Sequence, residues 1–261
     1  MNGSAFKYEK EKLINEAIFG KSSKINLGDG LLKHYGVASN GFDVGSCQFS
    51  LHYFFKDNTK LHNFIRNLSE TIKENGYFIG TCYDGHSVFR LLSNINKNEM
   101  ITLYYKSNKI FEIVKRYNED TFQNDETSLN YPIDVYQDTI NQYFKEYLVN
   151  FPYFTQIMEN YGFVLIDSDE SNVNNIPNGT GLFSELFNNV DENYGLASKM
   201  SENEKKISFL NRYFIFKKVR NVDANTIMKH ALSNTETIEL KNEKNEKEDT
   251  QDKTDIDKTK E

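Results

Sequence analysis

Three features of this 261-residue sequence predict an α/β fold with parallel strands. Residues 42–48, Phe-Asp-Val-Gly-Ser-Cys-Gln, read as a buried strand. Residues 59–74 hold Leu61, Phe64, Ile65, Leu68 and Ile72 at the spacing of an amphipathic helix. Residues 77–82, Tyr-Phe-Ile-Gly-Thr-Cys, read as a second buried strand. A strand, a helix and a strand in that order predict parallel pairing through a right-handed crossover.

The remaining elements follow from periodicity and from residues that start or stop them. Residues 1–20 are predicted helical, with Gly20 as the stop, and 22–40 form a loop. Gly28-Asp29-Gly30 reads as a turn, because a phosphate-binding loop needs a preceding strand and a third glycine. Asp57, Asn58 or Thr59 can cap the 59–74 helix, and Gly76 can end it. Tyr83-Asp84-Gly85 turns into a helix through Val88, Leu91 and Leu92. Strands at 101–105 and 110–114 are close enough for a hairpin. Residues 119–129 form a polar loop. Residues 131–136 read as an edge strand, which Pro132 suits. A helix at 151–161 carries Pro152 in its first turn and Gly162 after its end. Late strands at 163–166 and 212–216 flank a polar, partly helical insertion.

This divides the chain into an N-terminal helix and loop (1–40), a folded body (41–220) and a polar tail (221–261). The end of the tail is Lys, Glu, Asp, Asn and Thr with almost no apolar residue, so it is expected to be mostly disordered. The formal net charge of −7 argues against sequence-blind binding along a phosphate backbone, but not against reading one base in a pocket. Cys47 and Cys82 read as small core residues in a reducing compartment, and no Cys/His spacing suggests a metal site. His62 and His86 are placed on solvated faces. No apolar run is long enough to cross a bilayer.

The exit of the first strand carries Gln48, Phe49, His52 and Tyr53. In an α/β sheet, ligands bind outside the carboxyl ends of the strands. Gln and His supply directional hydrogen bonds there, and Phe and Tyr supply flat faces for a planar ring. A plainer reading stays open for each: an aromatic loop packed on the core, and a strand-end Gln bonding local backbone.

The motif Ser46-Cys-Gln-Phe-Ser-Leu-His-Tyr53 resembles the mRNA cap guanine-N7 methyltransferases, most closely the methyltransferase domain of capping enzymes from large DNA viruses. Asn75-Gly-Tyr-Phe-Ile-Gly-Thr81, Phe144-Lys-Glu-Tyr-Leu-Val-Asn-Phe-Pro152 and Arg212-Tyr-Phe-Ile-Phe216 match the same family in order. The resemblance implies a Rossmann-like class I S-adenosylmethionine-dependent methyltransferase sheet and transfer of a methyl group to the cap guanine of capped RNA. It implies Gln48, Phe49 and Tyr53 as S-adenosylmethionine contacts, and His52, Glu146 and Tyr213 as cap-guanine contacts. Glu146 could otherwise be a solvated helix residue, and Tyr213 an inward-facing strand residue. At Tyr83, cellular members of the family often carry proline, a difference that the resemblance places at the wall of the cap pocket.

The family's glycine loop and acidic ribose-binding residues sit on earlier strands, and none precedes Phe42. The sequence is therefore expected to be the N-terminally truncated, C-terminal half of the domain, with the outer edge of the first strand open to association. Its expected partners are the capped mRNA 5′ end, the missing N-terminal half or other capping-enzyme domains, and no membrane. The expected location is the host cytoplasm or virion for a viral protein and the nucleus for a cellular one. The alternative role is a non-catalytic docking or stimulatory subunit of a capping complex. The chemistry needs no catalytic side chain: guanine N7 offers a lone pair and carries no proton, so alignment with the sulfonium methyl suffices.

Overall fold

The computed structural model describes residues 3–24, 27–173, 176–188 and 195–233. In chain order the first elements are α1 (Gly3–Ile18), the single turn α2 (Asp29–Leu32) and β1 (Phe42–Gln48). A 3-10 helix (Leu51–Lys56) leads into α3 (Asn58–Thr71), β2 (Ile72–Tyr83) and α4 (Gly85–Leu91). Strands β3 (Met100–Tyr105), β4 (Asn108–Lys115), β5 (Pro132–Gln137) and β6 (Gln142–Tyr147) come next. The chain continues through α5 (Phe151–Asn160), β7 (Phe163–Leu165), α6 (Ser168–Val173), β8 (Thr180–Leu182), α7 (Phe183–Phe187), α8 (Glu202–Ser208) and β9 (Asn211–Lys218).

The first sheet runs β1-β2-β9-β7, with β8 also paired to β9. β1 and β2 are parallel, in the register Val44 opposite Tyr77 through Gln48 opposite Thr81. α3 makes the crossover between them. Asp57 caps it by accepting the Lys60 N–H at 2.7 Å, and its apolar stripe buries Leu61 and Ile65 completely. α5 packs into the same core with Phe154 and Met158. Its cap, Asn150, accepts the Tyr153 N–H at 3.1 Å. Each fully buried side chain of this size contributes about 1.5–3 kcal/mol. β9 returns antiparallel to β2, and Phe214 and Phe216 meet Phe78 inside the core.

The second sheet is antiparallel, in the order β3-β4-β5-β6. Ile113, Ile133 and Val135 turn one face onto a smaller core with Val88, Leu92 and Tyr131.

Several sequence expectations are corrected. The 131–136 strand is no edge: β5 pairs with β4 on one side and β6 on the other. β6 has no clear signal in the sequence, because a glutamate occupies one of its inward positions and hides the alternation. β1, read as buried, is an edge strand, with Val44 49% exposed. His62 is buried rather than solvated, its Nδ1 2.9 Å from the Tyr161 hydroxyl. His86 is half-buried, edge-on to Phe122. The folded body runs past 220: Ala224 is buried, and Val222, Ile227 and Met228 pack on the main core. Residues 234–261, most of the expected disordered tail, lie outside the described residues. Among the described residues no helix is long and apolar enough to cross a membrane. Cys47 and Cys82 are buried and unpaired.

Candidate active site

β1 ends at Gln48 and the chain turns sharply. Phe49 adopts a left-handed φ of 51°, and its N–H donates to the Thr81 carbonyl at 2.9 Å, tying the turn to β2. That geometry costs a bulky residue energy, so the surrounding bonds must hold it. The Ser50 hydroxyl closes the turn on the Gln48 carbonyl at 3.0 Å. The 3-10 helix that follows is anchored by Leu51 and Phe55, both fully buried. Between these anchors His52 points inward, while Tyr53 stays about half exposed.

Glu146 approaches from the other sheet. It sits on β6 opposite Ile133 and is 8% exposed. Its Oε2 lies 3.5 Å from His52 Nδ1, at the limit of hydrogen-bond reach. Burial holds the His52 imidazole down to about 4 and raises the Glu146 carboxyl to about 7. The separation suits an ion pair, yet both shifts arise from desolvation, which favours the uncharged forms. At neutral pH His52 is therefore neutral and Glu146 is poised near half-ionisation.

These residues meet in a cleft of about 530 Å³. Phe49, Tyr53, Phe144 and Phe183 supply aromatic walls. Ile140 and Gln137, from the β5–β6 hairpin, form part of its rim, and Tyr83 and Asn211 reach it from β2 and β9. The Gln137 side-chain amide donates to the Tyr83 hydroxyl at 3.0 Å. Burial, and then the nearby Glu146, push the Tyr83 phenol up, so it stays protonated. Asn211 donates through Nδ2 to the Ile207 and Ser208 carbonyls, at 3.2 and 3.0 Å, which fixes its amide and leaves Oδ1 buried without a partner. His52 Nε2 and Glu146 Oε2 are likewise buried without a hydrogen-bond partner. Three buried, unsatisfied polar atoms thus belong to residues lining one cleft, an arrangement that costs stability unless a ligand completes it.

Four of the six residues singled out from sequence come together here: Phe49, His52, Tyr53 and Glu146. Gln48 does not line the cleft. Its Oε1 accepts from the Thr81 hydroxyl at 2.8 Å, and its Nε2 donates to Ser46 at 3.0 Å. Tyr213 does not line it either. Its hydroxyl donates to the Asn178 carbonyl at 3.1 Å, and β8 runs alongside it. Asn211, two positions earlier on the same strand and so on the same face, lines the cleft instead. Asn211 and Gln137 carry no sequence signal, because strand register alone brings them to the site. Behind the wall, Asp84 caps α4 through Ser87 and pairs with Arg212 at 2.8 Å; Arg212 also stacks on Phe151. These bonds hold the ends of β2 and β9 together.

Residues 6–219 match the family model described as the mRNA (guanine-N(7))-methyltransferase domain. A probable mRNA-capping enzyme of Acanthamoeba polyphaga mimivirus is 27% identical over 220 residues, 72% of this chain and 18% of that protein. An mRNA cap guanine-N(7) methyltransferase of Candida glabrata is 30% identical over 211 residues, 74% of this chain and 49% of that one. The chain thus spans less than half the length of these relatives. Among solved structures, the CcbJ methyltransferase of Streptomyces caelestis aligns with a TM-score of 0.39 at 11% identity, covering 77% of this chain and 65% of that one.

Proposed function

The chain belongs to the mRNA (guanine-N(7))-methyltransferase family, and on that premise we propose that its cleft holds the guanine of a capped RNA 5′ end for methylation at N7. The fold is then the α/β, Rossmann-like class I methyltransferase type, and the methyl donor is S-adenosylmethionine, which supplies a methyl group on a sulfonium. The observation that carries the reading is the cluster of unsatisfied polar atoms on Glu146, His52 and Asn211 among aromatic walls.

Glu146 accepts from guanine N1–H and the 2-amino group. Adenine lacks that donor pair, so the contact discriminates between purines. As the methyl arrives, guanine becomes cationic, and the same carboxylate binds the transition state more strongly than the ground state. His52, kept neutral, offers one N–H and one lone pair to the base edge. Asn211 Oδ1 adds a fixed acceptor. Gln48, Phe49 and Tyr53 form the cofactor side. The Gln48 side chain is spent on Thr81 and Ser46, so it acts through its backbone. Phe49 and Tyr53 offer exposed ring faces to the adenine. Their donor set fits the cofactor in part, because Glu146 is the only carboxylate among the described residues lining the cleft. Tyr213 supports the β8 wall that leads to Phe183 instead of touching the cap.

The protein acts on nascent or viral transcripts, beside other capping domains. Its compartment is the host cytoplasm or virion for a viral protein, and the nucleus for a cellular one. The test is transfer of labelled methyl from S-adenosylmethionine to GpppG-capped RNA. With the chain complemented by a segment that carries the cofactor's glycine loop, N7-methylguanosine is the expected product, abolished by Glu146→Ala with cofactor affinity intact; the chain alone is expected to transfer little or none. Unchanged transfer in that variant would remove Glu146 from the role.

A further inference from the structure

We propose that the solvent-facing side of the β3–β6 sheet is a stacking surface for the single-stranded RNA that leaves the cleft, an inference that builds on the cap reading above. Strand alternation carries the argument. β6 turns Phe144 and Glu146 toward the cleft, so Tyr143 and Lys145 stand on the opposite face. Tyr136 of β5 lies directly opposite Tyr143, with ring centroids 5.3 Å apart. Lys109 Nζ sits 4.2 Å from the Tyr136 ring centroid and 5.1 Å from that of Tyr143. Tyr104, opposite Lys109 in register, is 52% exposed.

The acidic groups on this face are neutralised in place. Glu112 accepts from Thr102 at 2.6 Å and from Tyr143, and pairs with Lys109 at 3.4 Å. Asp134 pairs with Arg116 at 2.6 Å. Lys145 is exposed and has no ion-pair partner among the described residues, so it remains as surplus positive charge in a chain that is acidic as a whole. Ring faces beside an unspent cation bind stacked bases along a phosphate backbone without reading sequence.

The surface is continuous with the cleft. The turn between β5 and β6 carries Ile140, which lines the cleft and is about half exposed, and Gln137 opposite Gln142, one residue from Tyr143. An RNA strand passing over that hairpin tip would run from the cap guanine toward the tyrosine pair.

The experiment is a fluorescence-anisotropy titration of the full chain with a GpppG-capped RNA octamer, an uncapped octamer of the same sequence, and GpppG as competitor. Lys145→Glu and Tyr143→Leu are compared with wild type, with thermal melts to confirm folding. Wild type is expected to bind the capped octamer at least fivefold more tightly than GpppG. Lys145→Glu should remove that gain, leave GpppG affinity within twofold, and lower the salt dependence of octamer binding by about one phosphate contact. Equal affinity of wild type for octamer and GpppG, or unchanged octamer affinity in Lys145→Glu, overturns the proposal. If the chain binds the uncapped octamer through Lys145 but not GpppG, the surface stands and the cap reading fails.

Discussion

His52 Nδ1 lies 3.5 Å from Glu146 Oε2, each side chain about nine-tenths buried, and the contact satisfies neither group: His52 Nε2 and Glu146 Oε2 are left without partners. A base and an acid at this separation would normally settle as an ion pair. Desolvation opposes both charges instead, with the imidazole near 4 and the carboxyl near 7. The pair is held ready for a ligand that brings its own donors.

Guanine affinity should therefore depend on pH. Guanine N1–H and its amino group need Glu146 ionised, and the carboxyl of the free protein is raised to about 7. Below that value binding must expel a proton, so affinity should rise about tenfold per pH unit up to near 7 and level off above it. Calorimetric titration of GpppG between pH 5.5 and 8.5 measures this. A flat profile would place the guanine elsewhere.

Glu146→Gln should stabilise the free protein while weakening ligand binding. The folded carboxyl titrates near 7 against 4.5 when unfolded. Below about 4.5 both states are protonated and Glu146 has no effect; as pH rises to 7 the unfolded state ionises first and the native state loses stability. A shift of this size corresponds to about 3 kcal/mol in order of magnitude. Glu146→Gln should recover part of that above pH 7 and nothing below 4.5, as read by urea unfolding at the two pH values. His52 runs the opposite way: its folded value is depressed, so its cost grows as pH falls from 6.5 to about 4.

Arg212→Ala should destabilise the chain by about 3 kcal/mol, because it strands the buried Asp84 carboxylate. Burial and the Ser87 and Arg212 bonds act on Asp84 in opposite directions, with a net lowering from 3.8. Its contribution is thus present above pH 3.8 and lost on further acidification. Arg212→Ala should move the urea midpoint at pH 7, whereas a shift no larger than that of an exposed control such as Lys97→Ala would deny the pair a structural role.

Gly80→Ala should also unfold or strongly destabilise the chain. A Cβ there would overlap the Cys47 carbonyl of β1 and the Phe214 ring of β9, forcing the central strand away from its neighbours. The expected cost is at least about 1–3 kcal/mol, the usual range for overpacking a core. A native-like thermal melt would show that the β1–β2–β9 packing is looser than described.

The parallel unit was legible because its signals are local. β1 begins at Phe42 and ends at Gln48 as read, and the 59–74 periodicity finds α3. The cleft positions of His52 and Tyr53 were legible through the resemblance carried by a contiguous motif, and that of Glu146 through Glu-Tyr-Leu-Val. What was not legible depends on pairing between distant segments. Glu146 at an inward position disguises β6, which makes β5 read as an edge. On β9 the family resemblance points to Tyr213 as the cap contact, but its hydroxyl donates to the Asn178 carbonyl and Asn211 reaches the cleft instead. The Gln137–Tyr83 bond joins two sheets whose adjacency no local pattern encodes.

The most direct measurement is the affinity of the chain for GpppG against ApppA, for wild type and Glu146→Gln, by calorimetry at pH 8. If Glu146 reads the guanine edge, wild type prefers GpppG by about 100-fold, as two hydrogen bonds to a charged acceptor allow, and Glu146→Gln reduces the preference to within a few-fold. A wild-type preference that survives intact in Glu146→Gln would show that this carboxylate does not recognise the cap.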